Sequence, residues 1–116
     1  MNTLVFVYGS LKSEHYNNQL LEKSEFISVH VTDSELTLVD LGAFPAVVDK
    51  GNTRIRGEIY RVTEKTFSEL DKLEGYPKYY NRIEILTDFR SVWTYVYQKN
   101  SDDYPIIVSG EWIPEV

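Results

Sequence analysis

Cysteine is absent from the 116 residues. Disulfides, thiolate metal sites and a cysteine nucleophile are thereby excluded, and the chain suits a reducing compartment, so a cytoplasmic protein is expected. Histidine is scarce: His15 and His30 stand at no metal-ligand spacing, and both are expected at the surface. Cations are in deficit, with 12 Lys and Arg against 18 Asp and Glu, a net charge of −6 and no basic stripe. Such a surface repels phosphate backbones, so no nucleic-acid partner is expected. No run approaches the ~20 apolar residues of a membrane span, and the N-terminus has neither a basic stretch nor a cleavage site of a signal peptide. GxGxxG, the P-loop lysine motif and GxSxG are all missing, and Ser10 has no evident His/Asp partner. Carboxylates, backbone amides and tyrosines remain as the available chemistry.

What is present reads as one globular domain over residues 1–116, with 42% hydrophobic and 26% charged residues. Nine Tyr and two Trp could line a pocket, but aromatics also favour strands, the preferred reading. Thr3–Tyr8, TLVFVY, is apolar on both faces, as in a strand covered on both sides, and runs straight into Gly9-Ser10. Ser13 can cap a short helix over about His15–Lys23, with Leu20 and Leu21 as its apolar contacts. Strands are expected at Phe26–Val31, with Phe, Ser and His outward, and at Glu35–Val39, Ala46–Val48 and Ile55–Val62. Arg82–Thr87 and Val92–Lys99 follow as a hairpin around Asp88–Ser91. The sum is an α+β chain with a curled, mostly antiparallel sheet and one or two helices.

The convincing helix is Glu64–Glu74, capped by Thr63, with Gly75 just past its end and Pro77 beyond. At 100° per residue, with Phe67 at zero, Leu70 falls at about 300° and Leu73 at about 240°. Lys65, Glu69 and Lys72 gather at about 140–200°, the solvated face, and Asp71 lies on the border at about 40°. Glu74 falls at about 340°, inside the apolar stripe. Either the last turn frays and the carboxyl reaches water, or it is held against apolar walls where desolvation raises its pKa. The second state suits general acid–base work near neutral pH. Asp71 and Glu74 share one turn, which is unsuited to a glycosidase needing acids on opposite sides of a bond.

VFVYGSL, GAFPAVV, GEIY, LDKLEGYPKYYNR and WTYVY, in that order from about Thr3 to Tyr97, together resemble the γ-glutamylcyclotransferase family. The closer likeness is to its γ-glutamylamine cyclotransferase-like branch. That resemblance implies a small, mostly antiparallel β-barrel of about six strands flanked by one or two helices. It implies a small-molecule γ-glutamyl substrate cyclised to 5-oxoproline with release of an amine, with no cofactor, metal or membrane. The family's substrate-holding turn maps onto Tyr8, Gly9, Ser10 and Leu11, and its proton-transferring glutamate onto Glu74. Tyr80, Arg82 and Tyr97 lie in the matched segments as pocket or packing residues, and Glu58 and Asp71 as solvated or structural ones. The alternative on the same fold is a catalytically silent small-molecule or protein-binding module.

Overall fold

The computed structural model describes residues 3–9, 11–12, 18–33, 35–42, 44–87, 90–99 and 103–112. The elements run β1 (Thr3–Val7), a 3₁₀ turn (Asn18–Leu21), β2 (Glu25–Val31), β3 (Leu36–Asp40), β4 (Pro45–Thr53) and β5 (Arg56–Val62). They continue as α1 (Glu64–Glu74), β6 (Tyr80–Leu86) and β7 (Ser91–Tyr97). Five strands form one sheet in the order β2-β5-β1-β7-β6, and β3 and β4 form a separate pair. All pairings are antiparallel except β1 with β7.

The α+β, mostly antiparallel class expected from the sequence is present, but the sheet is not a closed barrel. Closure requires an uninterrupted hydrogen-bonded ladder around the ring. Here β2 and β6 remain edges of the larger sheet, and β3–β4 joins the structure by side-chain packing. Its backbone partner outside the pair is the C-terminal segment, through Asp40 N–H to the Pro105 carbonyl and Ile107 N–H to the Leu38 carbonyl, each 2.9 Å or less.

β1 is buried on both faces, as its unbroken apolar run requires. Leu4, Phe6 and Tyr8 enter one core cluster with Leu38, Val47, Ile59 and Val92. Val5 and Val7, pointing the other way, join Leu21, Tyr60, Leu70, Tyr80 and Tyr95. α1 covers that second face through Leu70, which has no exposed surface. Its ends match the sequence signals. The Thr63 hydroxyl accepts from Thr66 N–H, and Gly75 takes the left-handed conformation (φ 66°) that closes the helix.

Two readings need revision. In β2 the expected alternation holds at Phe26, exposed, and Ile27, packed on the core, and reverses beyond them: Val29 and Val31 are exposed, while the His30 ring meets Phe6 edge-on at 5.7 Å. A bulge between Phe26 and Ser28 adds a residue and flips the side chains that follow. β4 also runs far beyond Ala46–Val48. The first helix is seen as the single 3₁₀ turn Asn18–Leu21, with Leu21 buried as expected; Ser13 and residues 13–17 lie outside the described residues. Thr87 N–H to the Arg90 carbonyl (3.2 Å) closes the β6–β7 hairpin, whose Asp88 and Phe89 are likewise outside them. Among the described residues no helix is long and apolar enough to cross a membrane.

Candidate active site

β1 ends at a cavity of about 480 Å³. Its walls come from the β1 end and following turn (Phe6, Val7, Tyr8, Gly9, Leu11), the start of β4 (Phe44, Pro45) and the end of α1 (Lys72, Leu73, Glu74). Gly75, Tyr79, Tyr80 and Tyr95 complete them. Tyr8, Gly9, Leu11 and Glu74, singled out in the sequence, therefore border one space; Ser10 lies outside the described residues. Gly9 sits so close to Pro45 that a Cβ would lie 3.1 Å from its Cγ. Its missing side chain keeps turn and β4 in contact. The Gly9 carbonyl accepts from Lys12 N–H at 3.0 Å, which closes the turn. Lys12 is itself buried and donates through Nζ to the Trp112 carbonyl at 3.0 Å, fastening the turn to the C-terminal segment.

Glu74 is half-buried at the end of α1, where the wheel placed it inside the apolar stripe. Desolvation raises its pKa from 4.5 to about 7. Among the described residues no hydrogen bond or ion pair compensates its carboxyl. Three tyrosines lie within its electrostatic reach, and burial followed by the Glu74 charge pushes the Tyr8 and Tyr80 hydroxyls above their ordinary range. The Tyr8 hydroxyl donates to the Tyr95 carbonyl at 2.9 Å and accepts from Val47 N–H at 3.3 Å. The Tyr80 hydroxyl donates to the Pro45 carbonyl over a long 3.4 Å.

Asp71, one turn earlier, belongs to a different network. Both its oxygens accept from Arg82 Nη1, at 2.9 and 2.8 Å, and Oδ1 also accepts from the Tyr95 hydroxyl at 2.7 Å. The Arg82 guanidinium lies over the Phe67 and Tyr76 rings at 4.3 and 4.4 Å, with Trp93 at 5.3 Å. Asp71 and Arg82 are structural partners, one of the two readings the sequence left open. Tyr97 stacks edge-on against Tyr80 at 5.5 Å and is not among the cavity-lining residues. Glu58 accepts from the Tyr60 hydroxyl at 3.0 Å, away from the cavity.

The model of the family described as gamma-glutamyl cyclotransferase, AIG2-like, matches residues 5–114. The chain belongs to this cyclotransferase family. It is similar to a Vibrio cholerae protein, 40% identical over 116 residues covering all of both chains. To the gamma-glutamylcyclotransferase family protein YtfP of Escherichia coli K12 it is 36% identical over 109 residues, covering 94% of this chain and 95% of that one. Among solved structures, the solution structure of ytfP from Escherichia coli matches with a TM-score of 0.79 and 35% identity, over 96% of each chain. A mouse AIG2-like protein matches with a TM-score of 0.74 and 25% identity, over 97% of this chain and 88% of that one.

Against that family frame, the cavity residues that sequence reasoning missed are Tyr95, Tyr79, Phe44, Pro45 and Lys72. For Tyr95 a signal existed. Trp93, Tyr95 and Tyr97 alternate along β7 and so share one face of the strand. Phe44 and Pro45 enter only because the β3–β4 connection folds back against Gly9, a contact that no local pattern announces.

Proposed function

We propose that this chain cyclises a γ-glutamyl amine or γ-glutamyl amino acid to 5-oxoproline, with Glu74 as general acid and base. The turn Tyr8–Leu11 would receive the glutamyl part. The observation that carries this reading is the uncompensated Glu74 carboxyl, raised to about 7, in a cavity bordered by that turn. A group titrating there both accepts and returns a proton at neutral pH.

The substrate brings its own nucleophile. Folded in the cavity, its α-amino group in the neutral form attacks the γ-carbonyl carbon, and a new C–N bond closes a five-membered lactam. Glu74 takes the proton that the attacking nitrogen sheds. When the tetrahedral intermediate collapses, the bond to the original nitrogen breaks and Glu74 returns the proton to the departing amine. The carboxylate ends as it began. Holding amine and carbonyl together supplies the proximity term, and N–H groups of the turn would stabilise charge on the carbonyl oxygen.

A panel of γ-glutamyl amines and γ-glutamyl amino acids, scored for 5-oxoproline release, tests the proposal and identifies the leaving group. Release from at least one member, lost in Glu74→Gln, is the expected outcome. Binding of panel members with no 5-oxoproline from any of them would instead indicate the silent binding module.

A further inference from the structure

Glu74 shares its cavity with the hydroxyl donors Tyr8, Tyr80 and Tyr95, yet each of them gives its proton to another acceptor. From the turn just past β1, the Tyr8 hydroxyl donates to the Tyr95 carbonyl. From β6, the Tyr80 hydroxyl donates to the Pro45 carbonyl. From β7, the Tyr95 hydroxyl donates to Asp71 in the shortest of the three bonds, 2.7 Å. A carboxylate can only accept, so the direction of that last bond is fixed by chemistry. The remaining polar or charged side chains on the cavity wall are Lys72 and Tyr79.

The Asp71 contact differs from the other two because its acceptor is charged and immobilised. Arg82 engages both Asp71 oxygens, and Phe67, Tyr76 and Trp93 surround the guanidinium. Charge-assisted bonds are about twice as strong as neutral ones. Against a Glu74 carboxylate, an arginine-anchored carboxylate holds a tyrosine proton more firmly than a neutral carbonyl does. We propose that Asp71 is a positioning residue: held by Arg82, it claims the Tyr95 hydroxyl proton and so denies Glu74 a hydrogen-bond donor.

The consequence is directional. A donor to Glu74 would stabilise its ionised form and weaken it as a base. With Asp71 in place, desolvation acts on Glu74 unopposed. Replacing Asp71 frees the Tyr95 proton inside the cavity wall that Tyr95 and Glu74 share, and the proposal requires that Glu74 then accept it by rotating about its side-chain torsions. This inference rests on Glu74 as the acid–base group only for its kinetic meaning; the proton arrangement is measurable without substrate.

The experiment follows the Glu74 carboxyl carbon by NMR titration of glutamate-labelled protein, the resonance assigned by its loss in Glu74→Gln. In Asp71→Ala the Glu74 midpoint is expected to fall by about one pH unit, the effect of one added donor. In Asp71→Ala/Tyr95→Phe it is expected to return to the parent value, because the freed proton is gone. Asp71→Asn, which keeps the side-chain volume, provides the same pair of measurements with a smaller shift should the alanine variant not fold. An unmoved midpoint on replacing Asp71 overturns the proposal. So does a lowered midpoint that persists in the Tyr95→Phe double variant, since loss of the Asp71 charge would then explain everything. If the panel assay finds a substrate, the acid limb of turnover should move with the NMR midpoint in each variant. A moving midpoint with no turnover on any substrate leaves the positioning role standing and removes the cyclotransferase reading alone.

Discussion

Asp71 and Glu74 stand one turn apart on the same helix and have opposite fates. Asp71 accepts from Arg82 through both oxygens and from Tyr95. Glu74 accepts from no side chain among the described residues, and its pKa is raised to about 7 by burial. The pair differs by one step around the helix. At ~100° per residue, three residues rotate the side chain by about 300°, enough to move from facing β6 and β7 to facing the cavity. One acid is held by the partners it meets, and the other is set apart by the partners it lacks.

The most damaging way to break this contrast is to remove the proposed proton carrier. Glu74→Gln keeps shape and loses the ionisable group, so turnover on an accepted substrate should fall ~10²–10⁴-fold. The dissociation constant, read by calorimetry, should stay within a few fold. Parental turnover in the variant would falsify the assignment.

The same substitution sharpens the contrast through stability. The folded pKa of Glu74, about 7, lies above the ordinary 4.5. Between those values the native state binds more protons than the unfolded one, so Glu74 makes stability fall as pH rises. Below about 4.5 there is no penalty, and above about 7 it is complete, roughly 3 kcal/mol. Urea denaturation of both proteins should therefore show Glu74→Gln drawing ahead of the parent from pH 4.5 to 7 and then keeping a constant lead. A difference that does not change with pH would place the carboxyl in water.

Replacing Asp71 should lower stability instead of raising it. Asp71→Asn weakens a partly buried ion pair and should destabilise by about 2 kcal/mol. Urea denaturation at pH 5, where Glu74 is already protonated, isolates this loss from any relief at Glu74. A stabilised Asp71→Asn would contradict the structural role.

The smallest effect belongs to Tyr80. Its bond to the Pro45 carbonyl is 3.4 Å long, so Tyr80→Phe should change stability by less than about 0.5 kcal/mol. A loss above 1 kcal/mol, measured the same way, would show that the Tyr80 hydroxyl has a stronger partner.

Much of this was legible in local sequence. Thr63, Gly75 and the 3.6-residue repeat define α1, because caps and side-chain spacing act within a turn or two of the backbone that they stabilise. The two-faced apolar run of β1 announced a strand covered on both sides, and the wheel placed Glu74 among apolar residues. Tertiary structure alone decided the rest. The bulge in β2 turned His30 inward and the valines outward, since one extra residue reverses a period of two. The sheet stayed open because, among the described residues, no ladder joins its β2 and β6 edges, a question of long-range pairing that no strand's own pattern answers. Glu74 was left without a partner because Tyr8, Tyr80 and Tyr95 arrive from three separate segments with their protons committed elsewhere. Position on a helix is a local quantity. The hydrogen-bond partners of a buried group depend on which distant segments the fold packs against it, and at this site that difference separates an acid held by partners from one left without them.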